Sequence, residues 1–402
     1  MHLLVLTPQF PYPPHQGTTL RNYNLLKGLA ERHVIDLFSM LAPGDKPERG
    51  PVPELVRHLV TAEQPARTMG RRLRDLVTSS KPDMALRLWD ENAFAALLAH
   101  VLDNPPEIIQ VEGIEMAPYV LAMKDTGLQL PRLIYDAHNA ETLLQRRAFQ
   151  ADLRRPSRWV AAAYSAVQTA KLDRYERRLL AAVDGVAAVS VDDEQVLQRM
   201  APGLRTTVVT NGVDLEAYNP AGLYANLYQH AGANLLFTGK MDFRPNVDGV
   251  LWFANQVLPR LRATELNPHF WIVGRNPHKR LDALRNRLDV TVTGAVPDIQ
   301  PYIAHADLYV VPLLAGGGTR LKILEAMAMA RPIVSTRLGA DGFPVTDGEE
   351  LALADSAEDF AARCASLLRN RAGASEMGER GRAFVEAHYS WERIIPKMEE
   401  LY

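Results

Sequence analysis

Short runs of Val, Ile and Leu recur along the first half of the chain at residues 2 to 7, 33 to 39, 107 to 112, 132 to 136, 184 to 190 and 206 to 210, with stretches of helical periodicity between them. Apolar runs without alternation predict strands covered on both faces, which is how parallel strands sit when helices flank a sheet. After residue 211 the pattern relaxes into NGVDLEAYNPAGLYANLYQHAGAN. It then resumes with LLFTG (235 to 239), FWIVG (270 to 274), VTVTG (290 to 294), LYVVP (308 to 312), PIVST (332 to 336) and LALA (351 to 354). Two βα arrays in succession predict an α/β chain of two doubly wound parallel-sheet domains. Residues 245 to 262 place Val247, Val250, Leu251, Phe253, Ala254, Val257 and Leu258 at helical spacing behind Pro245, as a sheet-covering helix does. Trp391, Ile394, Ile395, Met398 and Leu401 share one face of a final helix despite Pro396.

Ligands of open parallel sheets gather beyond the carboxyl ends of the strands. In the second half those positions read Gly239-Lys240, Gly274-Arg275, Gly294-Ala295-Val296 and, after a short loop, Gly316-Gly317-Gly318-Thr319-Arg320. Glycine lets backbone approach a ligand, a helix start offers free amides, and Lys or Arg neutralises phosphate, so this rim suits a diphosphate. Thr319 or Gly318 opens the next helix, which carries Lys322 and Glu325 at i and i+3. That spacing equally suits a plain surface ion pair. In the first half, Gly17 and Thr18 follow the first strand and precede a helix from Leu20 to Arg32, where a simple βα turn is the alternative to a ligand loop. His138 ends a strand in YDAHN, placed to act on a substrate or to hold its loop together.

Other fingerprints fail. No G-x-G-x-x-G follows the first strand, no P-loop motif occurs, and there is neither an H-E-x-x-H nor a nucleophile elbow with a triad. The 402 residues suit two domains, and Lys plus Arg at 45 against Asp plus Glu at 47 leave no basic field for nucleic acid. The single Cys364 excludes an intrachain disulfide and, with no zinc-spaced Cys cluster, fits a reducing compartment. The opening MHLLVLTPQFPYPP does not read as a signal peptide, and no run approaches the roughly 20 apolar residues of a spanning helix. Residues 143 to 180 hold nine basic side chains (Arg146, Arg147, Arg154, Arg155, Arg158, Lys171, Arg174, Arg177, Arg178) against three acidic ones, interleaved with Trp159, Val160, Tyr164 and Val167. This is a basic amphipathic surface suited to peripheral contact with an anionic membrane, or else a solvated helix face.

The stretch GGGTRLKILEAMAMARPIVST (316 to 336), together with TNGVD (210 to 214), the GK at 239 and 240, IVGRNP (272 to 277), PYPPHQGTTLRNYNLLKGLAERHVIDLFS, YDAHNAE (135 to 141), VSVDD and YSWERI, resembles the family 4 retaining glycosyltransferases of GT-B fold. The likeness covers nearly the whole chain and is nearest to bacterial polysaccharide-type sugar transferases. It implies two Rossmann-like domains facing a central cleft: residues 1–212 for the acceptor and 213–385 for a nucleotide sugar, with a helix at 386–402 packing back on the first. It implies a cytoplasmic enzyme, membrane-associated if the basic segment docks. The enzyme would pass a sugar from a nucleoside diphosphate to a glycan or lipid-linked acceptor with retention, without a cofactor or metal and without nucleic acid.

Carried over residue by residue, the resemblance assigns donor contacts to Gly17, Thr18, Lys240, Arg275, Val296, Gly317, Gly318, Thr319, Arg320, Lys322 and Glu325. It assigns acceptor contacts to His138, Asn139 and Glu141, and catalysis to His138 and Glu325. Glu325 matches the family's ribose-holding Glu, Lys240 stands for its phosphate-binding Arg, and a later family Lys is replaced near Pro245 and Asn246, where Arg320 and Lys322 compensate. The family's first Glu falls at Gly317. That departure keeps open a protein that binds nucleotide sugar or glycan without turnover. A GT-B epimerase, expected to have a carboxylate-rich cleft, and a phosphorylase, expected to have a cofactor lysine, are the further alternatives.

Overall fold

The computed structural model describes residues 1 to 14, 17 to 153, 159 to 316 and 320 to 402. The chain divides into two compact units, one of Met1–Asn211 with Ile394–Tyr402 and one of Gly212–Arg393. The first unit is built on seven strands: β1 (His2–Thr7), β2 (Val34–Leu41), β3 (His58–Glu63), β4 (Ile108–Glu112), β5 (Arg132–Ala137), β6 (Gly185–Ala188) and β7 (Thr206–Val208). They run parallel in the order β3-β2-β1-β4-β5-β6-β7. The second unit has β8 (Asn234–Thr238), β9 (His269–Val273), β10 (Val290–Gly294), β11 (Leu308–Val311), β12 (Ile333–Ser335) and β13 (Ala352–Leu353), parallel in the order β10-β9-β8-β11-β12-β13. Strand order reverses beside β1 in one sheet and beside β8 in the other, and such switch points are where doubly wound sheets take ligands.

The central strands are buried along their length, as their unbroken apolar runs require. Each sheet sits in its own apolar core. β3 was not predicted: its HLVTAE is half exposed, an edge strand whose polar residues hide the apolar signal. The helix expected over 245 to 262 forms as Arg244–Trp252, a wide π turn at Phe253–Val257 and a last turn at Leu258–Arg262. Pro259 lacks an N–H for the regular ladder and its ring would press on the preceding turn, so the helix widens ahead of it.

The segment grouped with the first unit begins at Ile394, later than the expected 386. Residues up to Arg393 are held by the second unit, where the Val213 N–H donates to the Tyr389 carbonyl at 2.9 Å and the Tyr389 ring meets those of Phe343 and Phe384. Ile394, Ile395, Met398 and Leu401 are buried. Ile395 lies so close to Gly28 that a Cβ there would fall 1.8 Å from its Cδ1, which leaves room only for glycine without a shift of that side chain. Among the described residues, no helix is long and apolar enough to cross a membrane.

Candidate functional site

In the first unit, β4 and β5 pair Glu112 with Asp136 in register, so both carboxylates project from the same face at the strand ends. Both are buried. Arg21, on the helix Gly17–Ala30, donates through Nε and Nη2 to the two Asp136 oxygens at 2.7 Å each. Its Nη1 reaches the Thr210 carbonyl and Asn211 Oδ1 at 3.2 Å. His138 Nε2 lies 3.0 Å from Glu112 Oε2. The Asn22 amide, with its nitrogen turned inward, donates to the same Glu112 oxygen at 2.9 Å and to the Thr18 carbonyl at 3.2 Å. A chain of bonds leads away from His138: Glu112 accepts from Gln110, whose side-chain oxygen accepts from the Tyr402 hydroxyl.

Burial sets the electrostatics of this cluster. It pushes Glu112 up to about 7, with the Asp136 charge adding to the effect. Burial alone would raise Asp136 too, but Arg21 outweighs it and holds the carboxyl below its ordinary value. Burial works against a charged His138 ring, yet the Glu112 bond and the Asp136 charge prevail and raise its pKa. Asn139 donates to Glu141 Oε1 at 3.2 Å, and burial with the nearby Glu115 lifts Glu141 to about 7. The structure thus brings Thr18, His138, Asn139 and Glu141 into one neighbourhood. Gly17 opens the helix, with nothing within 4 Å of the position its Cβ would take. Glu112, Glu115, Asp136 and Glu141 form a carboxylate-rich face that the sequence pattern does not announce. They escaped because Arg21 and Asp136 are 115 residues apart and nothing in spacing links them.

In the second unit three strand ends meet at glycines. The Gly239 N–H donates to the Val273 carbonyl and the Gly274 N–H to the Gly294 carbonyl, both at 3.1 Å. A Cβ on Gly274 would lie 1.7 Å from the Gly239 carbonyl oxygen, and one on Gly239 would lie 2.8 Å from Lys322 Nζ. Lys322, on the helix Leu321–Ala328, donates to Asn246 Oδ1 at 2.9 Å and sits 3.9 Å from the centre of the Phe237 ring. Asn246 in turn donates to the Lys240 carbonyl at 2.9 Å. Burial lowers Lys322 to about 7, against the pull of Glu325. Burial also raises Glu325, opposed by the Tyr218 hydroxyl, which donates to its Oε1 at 3.1 Å. Lys322 and Glu325 therefore do not form the plain surface ion pair their spacing allows: each turns to a different neutral partner.

The remaining predicted residues take less uniform positions. Arg320 stands at the N-cap position of the helix Leu321–Ala328 and is buried, its Nη2 3.6 Å from where a Gly316 Cβ would stand. Lys240 is half exposed and 3.7 Å from Asp242. Arg275 follows Gly274 and its carbonyl accepts from the Met241 N–H at 2.9 Å, while Val296 packs against the core. Gly317, Gly318 and Thr319 lie outside the described residues. Asn246, Tyr218 and Phe237 were missed as supporting groups; only Asn246 had a signal, as the place where a family lysine is replaced.

Residues 16–217 match the family model described as Glycosyltransferase Family 4, and residues 232–370 the one described as Glycosyl transferases group 1. The chain is 26% identical over 232 residues to a phosphatidyl-myo-inositol mannosyltransferase of Propionibacterium freudenreichii, covering 56% of this chain and 57% of that one. It is 24% identical over 170 residues to an uncharacterized 44.6 kDa protein in the cps region of Klebsiella pneumoniae, 40% of this chain and 44% of that one. The chain spans about half the length of the curated relatives it matches. Among solved structures, a sucrose-phosphate synthase from Thermosynechococcus elongatus superposes with a TM-score of 0.70 at 18% identity, covering 100% of this chain and 98% of that one. The Anabaena protein HepE, in complex with UDP and glucose, does so at 0.66 and 14%, covering 99% and 98%. At these identities the likeness establishes the fold.

Proposed function

The chain belongs to glycosyltransferase family 4, and on that premise we propose that it moves a sugar from a nucleoside diphosphate to a glycan or lipid-linked acceptor. We assign retention of configuration to the transfer, and no metal or cofactor at the reacting atoms. The observation that carries this reading is Lys322, brought to a glycine strand end, partnered among the described residues by a neutral amide and a ring face, with its pKa lowered to about 7. A diphosphate beside it restores the charge that burial disfavours. As the glycosidic bond breaks, charge grows on the leaving phosphate, where Lys322, Arg320, Lys240 and Arg275 stabilise it. Glu325, with Oε1 held by Tyr218, offers its other oxygen to the ribose hydroxyls.

Val296 completes the donor contacts of the second unit. On the acceptor side, His138 is held by Glu112, and Glu141 has its pKa near neutrality, suited to orienting a hydroxyl and sharing its proton. The UDP and glucose bound to HepE make UDP-glucose the first donor to test, and the mannosyltransferase relatives make GDP-mannose the second.

We assign peripheral membrane contact, as a lipid-linked acceptor would require, to an exposed apolar and basic surface. The helix Met69–Thr78 exposes Met69, Leu73 and Val77 at every fourth position beside Arg71 and Arg74, and Trp159 and Val160 are exposed as well. Arg72 bonds Tyr164, and Lys171 donates to the Leu76 and Ser79 carbonyls, so this helix lies along Trp159–Leu180. Of the nine basic residues, Lys171, Arg177 and Arg178 are already engaged within the fold, and Arg154, Arg155 and Arg158 lie outside the described residues. Arg146 and Arg147 are exposed on the helix Glu141–Leu153, and with the Met69 face they give the basic and apolar character that peripheral docking uses.

Thermal-shift and calorimetric screens against UDP, GDP, ADP and dTDP sugars, in EDTA, test the donor site. A selective ligand whose nucleotide is released only with acceptor supports the transferase. Gly317 in place of the family's first Glu favours a second reading, binding without turnover. Selective binding with no release on any acceptor would establish it, whereas interconversion of the free sugar nucleotide would point to an epimerase.

A further inference from the structure

The amino ends of β1, β2 and β3 carry a second polar cluster, at the opposite edge of the first sheet from His138. We propose that it binds a divalent transition metal of the zinc class, with His2, Asp36, His58 and His100 as ligands. Asp36 is buried on β2, and its register partner on β3 is His58, so the two side chains share a face. His2 starts β1, and His100 lies in the last turn of the helix Glu91–Asp103. Asp36 Oδ2 is 3.0 Å from His2 Nε2 and 2.9 Å from His100 Nε2, and its Oδ1 is 3.3 Å from His58 Nδ1. The ligand atoms of Asp36, His58 and His100 lie within 4.8 Å of one another, and atoms bound tetrahedrally to zinc at roughly 2.0–2.1 Å stand about 3.3 Å apart, so closing the site takes side-chain shifts of up to about 1.5 Å, with His2 swinging in from outside that group. Three imidazoles and one carboxylate suit zinc rather than magnesium or calcium.

The ring of His2 is oriented from outside the cluster. Its Nδ1 lies 3.2 Å from the Pro105 carbonyl, which can only accept, so Nδ1 carries the proton. A ring held this way presents its Nε2 lone pair to the cluster, the side from which a histidine ligates a metal. A carbonyl that fixes the tautomer in this way is the usual outer support of a metal-bound histidine. Arg57 now supplies the positive charge, donating through Nε to Asp36 Oδ1 at 3.0 Å and through Nη2 to Asp36 Oδ2 at 2.8 Å, with Nη2 also 2.9 Å from His2 Nε2; a metal would take its place. A doubly protonated His2 would set N–H against N–H there. The Arg57 side chain is 41% exposed and can withdraw into solvent. The similar grouping of Glu112, Asp136 and His138 lacks this freedom, because its cation, Arg21, is 2% exposed and fully engaged.

The test uses the full chain without a histidine tag, stripped with EDTA, then titrated with Zn²⁺ by calorimetry and Co²⁺ by visible absorption. One equivalent should bind, with cobalt bands of a four- or five-coordinate site and a raised Tm. His100→Ala and, separately, His58→Ala should each weaken binding by about tenfold or more. Arg57→Gln should tighten it, and His138→Ala should leave it unchanged. Absence of stoichiometric binding, full affinity in both ligand variants, or loss in His138→Ala overturns the proposal. His58, 45% exposed, carries the test if His100→Ala does not fold. An Arg57→Gln chain that is destabilised and not restored by Zn²⁺ makes Arg57 the resident cation and likewise overturns it.

Discussion

At the strand ends of the first unit, buried Glu112 and Asp136 have their charge met inside the fold by His138 and Arg21. At those of the second unit, Lys322 is met by a neutral amide and an aromatic face, and Glu325 by a phenol. The first cluster is electrostatically complete before any ligand arrives, so it can orient a substrate but has little charge left to bind one. The second leaves its charge for an incoming anion and loses less stability when one member is removed. Two sheets of the same winding therefore divide the work of holding and binding through how far each rim is neutralised.

The strongest blow to this contrast is Arg21→Ala. It strands Asp136 as an unpaired buried charge and should cost about 3–5 kcal/mol, read as a lower urea midpoint. If Lys322→Ala cost as much, the two rims would not differ as described. Gly274→Ala should follow at about 3 kcal/mol, because its methyl group would fall 1.7 Å from the Gly239 carbonyl and part the strand ends. Glu325→Ala should lower kcat/KM by about a hundredfold, ~2.7 kcal/mol, while leaving the urea midpoint nearly in place. A matching fall in stability would make Glu325 structural.

The smallest effect is the most diagnostic. Free Lys322 loses its proton near pH 7 and an anion restores it, so affinity for a nucleoside diphosphate should fall by up to about tenfold per unit as pH rises above about 7. Lys322→Met should flatten that slope in calorimetric titrations. The same shift acts on the free chain with the opposite sign. Between about 7 and the ordinary 10.5, the unfolded chain holds the extra proton, so stability should rise with pH relative to Lys322→Met.

Central strands such as β1, β4 and β8 were legible because burial on both faces writes an unbroken apolar run. β3 was not, since an edge strand with one wet face carries polar residues. Lys322 and Glu325 were legible through their place after the glycine run. Their orientations were not, because Asn246 and Tyr218 arrive from positions 76 and 107 residues away. The proposed zinc-class cluster was invisible for the same reason: its residues stand at 2, 36, 58 and 100 and are gathered by strand register and by the helix Glu91–Asp103 rather than by spacing.

The π turn at Phe253–Val257 has a consequence for how this chain tolerates insertion and deletion. The helix it interrupts answers to two masters: Asn246 must face Lys322 at one end, while Leu258 and Leu261 must enter the core at the other. Deleting one residue from the wide turn would restore regular winding but rotate everything beyond it by about 100°. Asn246 or the two leucines would then miss their place. The extra residue acts as a phase adjuster, and length changes should be far better accepted in the loop after Arg262 than within this turn.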